Sequence, residues 1–176
     1  MYRTKNLGEL RISNAGEVVE LAWWIQKIRN LGGMVFIDLR DEFGITQIVI
    51  NNEELQEQAK SLCTETCIHI EGKVVERASK NPNMETGEIE VIAEKIEVLG
   101  KCKNVLPFEV NTDQEVREDL RLEYRFLDLR NKKLHDNILL RSKVIKTLRD
   151  KMDELGFPEI QTPILANSSP EGARDY

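Results

Sequence analysis

Residues 22–47 read AWWIQKIRNLGGMVFIDLRDEFGITQ, and this stretch predicts a β-hairpin followed by a third strand. It begins with apolar and aromatic residues, crosses a polar, glycine-containing turn at 27–33, and returns as the alternating run 35–40. A further β-branched run at 46–50 follows Phe43 and Gly44. We therefore expect three consecutive antiparallel strands to form the centre of the fold.

One face of this hairpin carries groups suited to single-stranded nucleic acid. Alternation along the second strand places Phe36 and Asp38 on the face opposite its apolar residues. An aromatic ring there can stack on a base, and the neighbouring strands supply the guanidinium of Arg29 and the amide of Gln47. The alternative is an ordinary hairpin with Phe36 in its core.

Composition limits the classes of partner. The chain has 176 residues, a formal charge of −6 and a pI near 5.2, so a nucleic acid would have to meet a local basic patch. No apolar run approaches the roughly 20 residues that span a bilayer, and the start MYRTKNLGELR lacks the apolar core of a signal peptide. We expect a soluble, cytoplasmic protein with no membrane partner.

The three cysteines fit no disulfide framework. Cys63, Cys67 and Cys102 are odd in number and form no CxxC zinc pattern, so we expect reduced, mostly buried thiols. A metal site made of Cys63, Cys67 and His69 is the alternative, but our expectation is that the chain binds no metal.

The order of predicted elements indicates a fold class. A strand at 18–25 precedes the two strands described above, a helix is predicted at 53–62, and two strands follow at 67–75 and 88–99. This β-β-β-α-β-β order is that of the five-stranded OB-fold barrel, a mainly β architecture that binds oligonucleotides on strands two and three. Gly72 is expected to mark a bend of the fourth strand at a barrel corner.

The remainder of the chain has a different pattern. The segment 106–113 has the Pro, Asn and Asp content of a linker. A helix-prone run follows at 120–129, and apolar spacing over 138–155 predicts an amphipathic helix ended by Gly156. The stretch 158–165 is expected to be extended.

Four pieces of sequence, GGMVFIDLRDEFGITQ, LEYRFLDLR, GFPEIQTPIL and SSPEGARDY, resemble the bacterial aspartyl-tRNA synthetases, and the resemblance covers essentially the whole chain. RFLDLR is similar to the entry into the catalytic domain of the class II enzymes. The stretch ending at Pro163 resembles their motif 1, in which this proline packs across the dimer interface. In the last piece, Glu171 matches the glutamate that contacts the amino group of bound aspartate.

The resemblance also implies the boundaries of the domains. Residues 1–104 would form the OB-fold anticodon-binding domain, and residues 105–130 a linker or hinge. Residues 131–176 would form the start of a class II α+β catalytic domain, with its first helices and strand.

Carried across by position, the resemblance implies a set of anticodon-binding residues. Phe36 would stack on the central anticodon base and Gln47 would hydrogen-bond it, while Glu90 would accept from the exocyclic amine of the first-base guanine. Val75 stands where the family often has arginine, so the contact to the third base is expected from Arg77. The full set is Arg29, Phe36, Gln47, Arg77, Asn81, Asn83 and Glu90.

The resemblance finally implies an activity. The whole enzyme would be a homodimer that uses ATP and Mg²⁺ to attach L-aspartate to tRNA(Asp) through aspartyl-adenylate. The arginines of motifs 2 and 3, which hold the phosphates of ATP, do not occur in these 176 residues, so we expect an amino-terminal fragment that is inactive alone. The alternatives are a free-standing OB-fold protein that binds single strands, and a fragment of a lysyl- or asparaginyl-tRNA synthetase.

Overall fold

The computed structural model describes residues 2–103, 105–112 and 115–164. The predicted substrate loop with Glu171 lies outside the described residues. Contacts divide the chain into two compact units, Met1–Val105 and Leu106–Tyr176.

The first unit is a five-stranded barrel. Its strands close in the order β1-β2-β3-β5-β4, with β3 and β5 parallel and the other neighbours antiparallel. This arrangement confirms the predicted mainly β OB-fold with a helix between the third and fourth strands. The elements are β1 (Val18–Leu31), β2 (Met34–Arg40), β3 (Ile45–Ile50), α1 (Glu53–Ala59), β4 (Cys67–Glu76) and β5 (Ile89–Gly100).

The first strand is longer than the sequence predicts. Lys27, Arg29 and Asn30 were expected in a turn, but they continue β1 and pair with β2. The turn itself consists of Gly32 and Gly33, with φ of +59° and +79°. Two consecutive left-handed residues are what a tight two-residue hairpin needs, because such a turn matches the twist of the strands. Polar residues therefore extend a strand here.

Alternating apolar side chains fill the barrel. Apolar residues from all five strands are buried in the barrel, which removes their surface from water and supplies most of the stabilisation of the fold. A 3-10 helix, Leu7–Glu9, adds its first residue to this core. The largest fully buried side chains are Leu7, Leu10, Val19, Leu21, Ile25, Ile37, Leu39, Ile48, Ile50, Ile68, Ile70 and Ile89.

Gly72 permits β4 to approach β5 closely at the point where their register shifts. The register of β4 against β5 shifts between Glu71 and Gly72. A Cβ at this position would lie 2.4 Å from the Ile92 carbonyl oxygen and 2.8 Å from Cγ1 of Val91. The close approach requires glycine, in agreement with the predicted corner of the barrel.

The second unit is helical where it is described. It contains α2 (Glu118–Glu123), α3 (Arg125–Asp128) and α4 (Lys132–Glu154). The long helix begins six residues before the predicted start at 138, because the Asn131 side chain accepts from two backbone N–H groups of its first turn. Residues 158–164 belong to neither a helix nor a strand. No helix in the described ranges is long and apolar enough to cross a membrane.

The cysteines are free, but the expectation that most are buried is wrong. Cys63 is exposed, and Cys67 and Cys102 are half-buried. Cys63 lies in the loop after α1, where its Sγ is 3.3 Å from Oγ1 of Thr66. Within residues 2–103, 105–112 and 115–164, no group of three or more His, Cys, Asp or Glu side chains could hold a metal ion.

Candidate nucleic-acid interface

The outer face of the first three strands brings the predicted base-reading residues together. Arg29 on β1 lies opposite Phe36 on β2, and Asp38 on β2 lies opposite Gln47 on β3. Phe36 is half-buried, whereas the alternate residues of β2 are buried in the barrel. The alternative that places Phe36 in the core is therefore wrong. Its neighbour on β3, Val49, is 3% exposed and continues an apolar row on this outer face.

Gln47 is the hub of the polar contacts. Its Oε1 accepts from Nη2 of Arg29 at 3.2 Å and from Nη2 of Arg77 at 3.1 Å. Its Nε2 donates to Oε2 of Glu90 at 2.8 Å. A carbonyl oxygen has two lone pairs and an amide nitrogen two N–H groups, so the protein uses both acceptor sites and leaves one donor. One N–H of Gln47, a residue that is 4% exposed, is therefore not used by these contacts.

Two guanidinium donors at this hub have no acceptor. Nε of Arg29 and Nη1 of Arg77 are buried and make no hydrogen bond in the described part of the chain. An unpaired buried donor is costly, so each of these two calls for an explanation in the strain or the function of the site. A base carbonyl, a ring nitrogen or a phosphate oxygen would supply the missing acceptors.

Asp38 belongs to the same network, and the sequence did not assign it a role. Its Oδ1 accepts from Nη2 of Arg29 at 2.5 Å. Burial raises the pKa of the Asp38 carboxyl above its usual range, and the positive charges of Arg29 and Lys27 offset this rise only in part. The signal in the sequence was its position two residues after Phe36 on the same face of β2.

The loop between β4 and β5 contains the two remaining predicted residues. Oδ1 of Asn81 accepts from the backbone N–H of Asn83 at 3.0 Å, and the backbone N–H of Asn81 donates to the Gly87 carbonyl at 2.9 Å. Asn81 therefore shapes the loop, and Asn83 is exposed. In the part that the structure describes, no hydrogen bond joins either side chain to Gln47, unlike Arg77 at the start of the loop.

The second unit leaves apolar surface uncovered. Pro163, predicted to pack across a dimer interface, is exposed. The exposed large apolar residues of α4 and the segment after it are Ile138, Leu139, Leu140, Val144, Ile145, Leu148, Met152, Leu155, Phe157, Ile160 and Ile164.

Comparison with known families and structures defines the class of the protein. Residues 19–99 match the OB-fold nucleic acid binding domain, and residues 117–176 match the tRNA synthetases class II (D, K and N). The asparaginyl-tRNA synthetase of Pyrococcus horikoshii, solved with asparaginyl-adenylate, is 29% identical with a TM-score of 0.82, over 98% of this chain and 39% of that one. An aspartyl-tRNA synthetase from Entamoeba histolytica has the same fold at 21% identity, with a TM-score of 0.84 over 95% and 41% of the two chains. The chain therefore belongs to the class II aminoacyl-tRNA synthetases of this group.

Curated relatives narrow the class. The aspartate–tRNA(Asp/Asn) ligase of Gluconobacter oxydans is 52% identical over 178 residues, and the aspartate–tRNA ligase of Lactobacillus johnsonii is 51% identical over 177. Both matches cover 99% of this chain. Within the class the chain is a homologue of the aspartate–tRNA ligases, which confirms the predicted resemblance, and it spans about 30% of their length.

Proposed function

We propose that the barrel recognises the anticodon of tRNA(Asp) as part of an aspartate–tRNA ligase. The observation that carries the proposal is the Gln47 hub, in which the side chains of Arg29 and Arg77 converge on one amide and retain unpaired donors. A half-exposed ring, Phe36, lies opposite Arg29 on the same face. This combination of ring, amide and guanidinium is how proteins read unstacked bases of RNA.

Each residue of the hub has a proposed part. Phe36 stacks on the central base, and the free N–H of Gln47 donates to an oxygen or ring nitrogen of that base. Oε1 of Glu90 accepts from the exocyclic amine of a first-base guanine while Oε2 stays with Gln47. Arg77 meets the third base. Asn83 contacts the anticodon loop of the RNA from the exposed protein turn that Asn81 shapes.

The activity of the whole protein is a wider proposal. The complete enzyme joins L-aspartate to tRNA(Asp), and ATP supplies the adenylyl group of the intermediate in the presence of Mg²⁺. Within the described residues, no group of three or more His, Cys, Asp or Glu side chains could hold that ion. Glu171 would contact the substrate amino group, and the domain boundaries follow those implied by the resemblance. A cytoplasmic location follows from the same proposal.

We also propose that the second unit helps to form a homodimer. The resemblance of the stretch ending at the exposed Pro163 to motif 1 supports this role. The large apolar residues exposed along α4 are surface that a second subunit or the rest of a longer protein would cover. Analytical ultracentrifugation of the full-length enzyme should show a dimer. A monomer at micromolar concentration would contradict the proposal.

The test of anticodon recognition is direct binding of a tRNA(Asp) anticodon stem-loop. We expect weak, salt-dependent binding, and a loss of affinity of about tenfold or more when the central base is replaced. Gln47→Ala should weaken binding and relax this choice. Gln58→Ala is the matched control, because Gln58 is an exposed glutamine on α1 that donates to the Ile96 carbonyl.

Equal affinity for every stem-loop and for unrelated single-stranded RNA would contradict anticodon reading and favour the free-standing single-strand-binding alternative. If Gln47→Ala retains the wild-type base preference, the Gln47 amide plays no part in selecting the base.

A further inference from the structure

Asp38 makes a contact that anticodon recognition alone does not explain. Its Oδ1 lies 2.5 Å from Nη2 of Arg29, and the same nitrogen lies 3.2 Å from Oε1 of Gln47. Nη2 of Arg29 therefore donates both to the carboxylate of Asp38 and to the amide oxygen of Gln47. We propose, on the basis of the proposed function, that Asp38 is a positioning residue that restrains Arg29 and thereby enforces the choice of the central anticodon base.

The physical reason is competition for the guanidinium. A free arginine beside RNA binds any nearby phosphate, which adds affinity without sequence information. The Asp38 carboxylate occupies Nη2 of Arg29 and holds this group against Gln47. An RNA acceptor then gains from Arg29 only when it approaches in the geometry that also satisfies the amide.

The surroundings of Asp38 support a functional use. The Asp38 side chain is 16% exposed, whereas the carboxylate of the surface pair Lys95–Glu71 is 38% exposed. Asp38 also lies opposite Lys27 on β1 and Gln47 on β3, so it stands in the middle of the outer face of the first three strands. A carboxylate in this place repels RNA phosphates, and general affinity would be higher without it. Selectivity is the property that its presence improves.

The test is Asp38→Asn, which keeps the shape of the side chain and removes its charge. We expect the ratio of affinities for the right and wrong central base to fall about tenfold, mainly because the wrong stem-loops bind more tightly. The salt dependence should steepen by about 0.7 in the slope of log K against log salt, as for one added phosphate contact. Glu71→Gln is the control, since it changes the net charge equally at the exposed pair with Lys95, which is 2.7 Å away.

A second pair of variants shows whether Asp38 acts through Arg29. Asp38→Asn should change neither selectivity nor salt slope when it is made in an Arg29→Gln chain, because the group that it releases is gone. A purely structural aspartate would have the same effect in both backgrounds. Thermal melting of each variant confirms folding, and Asp38→Ala, which also removes the charge and carries the same expectations, replaces Asp38→Asn if that variant does not fold.

Two results would overturn the inference separately from the proposed function. If the wild type selects the central base and Asp38→Asn retains both its selectivity and its salt slope, Asp38 has no positioning role. The same conclusion follows if the effect of Asp38→Asn persists in full without Arg29. If the wild type itself selects no base, the proposed function fails and the inference about Asp38 fails with it.

Discussion

Gln47 on β3 donates from Nε2 to Oε2 of Glu90 on β5, at 2.8 Å, where these two strands run parallel. This bond fixes which way round the amide stands, because its oxygen must then face Arg29 and Arg77. A flipped amide would place N–H groups against guanidinium N–H groups and an oxygen against a carboxylate. If this face binds RNA as proposed, Gln47 and its two arginine partners are arranged before binding, which lowers the entropic cost of recognition.

Glu90→Gln tests this arrangement. The neutral amide can donate or accept, so it no longer fixes the orientation of Gln47 and no longer requires the 2-amino donor, which guanine presents and adenine lacks at that position. We expect the preference for guanine over adenine at the first anticodon position to fall about tenfold in stem-loop titrations. Glu94→Gln, on an exposed position of β5, should retain the preference and controls for the change in net charge. If Glu90→Gln prefers guanine over adenine as strongly as the wild type does, Glu90 does not read this base.

The titration of Asp38 gives a prediction for stability. Burial raises the pKa of this carboxyl, despite the opposing charges of Arg29, Lys27 and Arg77. A raised pKa means that the group stabilises the fold below its unfolded-state pKa and that this contribution is lost as pH rises through the folded-state pKa. At pH 7 the wild type therefore carries a cost that Asp38→Asn does not.

Urea unfolding should show Asp38→Asn to be at least as stable as the wild type at pH 7, with a difference that narrows as pH falls towards 4. Glu71→Gln should behave in the opposite sense. The hydrogen bond from Lys95 lowers the pKa of Glu71, so that carboxylate stabilises the fold above its unfolded-state pKa. An Asp38→Asn chain that loses stability relative to the wild type as pH rises would contradict the assigned direction.

Gly72 gives a prediction about the barrel alone. Gly72→Ala would place a Cβ 2.4 Å from a backbone oxygen of β5, so the strands must separate or the bend must open. We expect a loss of unfolding free energy of about 1–3 kcal/mol, measured by denaturant unfolding. Gly100→Ala is the matched control, because its nearest neighbour would be Cβ of Cys67 at 3.8 Å, and it should stay within about 0.5 kcal/mol of the wild type. Equal stability of the two variants would argue against a tight corner at Gly72.

The alternation of side chains on β2 is a local property, and the sequence alone therefore placed Phe36 and Asp38 on the outer face. The extent of β1 was not predictable in the same way. Arg29 sits in a polar segment that has the composition of a turn, and only its pairing with β2 across two glycines makes it part of a strand.

The hydrogen bonds around Gln47 also could not be predicted from the sequence. Gln47 and Glu90 are 43 residues apart and meet because β3 and β5 pair in parallel. The resemblance implied that both would read bases, but it gave no sign that they bond to each other in the free protein. Asn81 shows the same limit, because its side chain is occupied by the turn of its own loop.

The ring of Phe36 gives a prediction that separates base stacking from packing. Phe36→Ala should remove a stacking platform worth roughly 1–3 kcal/mol per base, which is a loss of about ten- to a hundredfold in affinity for the anticodon stem-loop. Because Phe36 is half-buried on the outer face and the core lies on the other side of β2, the melting temperature should change little.

Phe43→Ala is the matched control for a lost exposed ring. Phe43 is 50% exposed in the loop after β2, its ring lies 6.0 Å from the Arg3 guanidinium, and it is not one of the residues that hydrogen-bond to Gln47. We expect it to bind the stem-loop as the wild type does. A Phe36→Ala chain that melts several degrees lower yet binds normally would show that the ring is structural, and equal losses of affinity in both variants would show that binding depends on general apolar surface and not on a base stacked at Phe36.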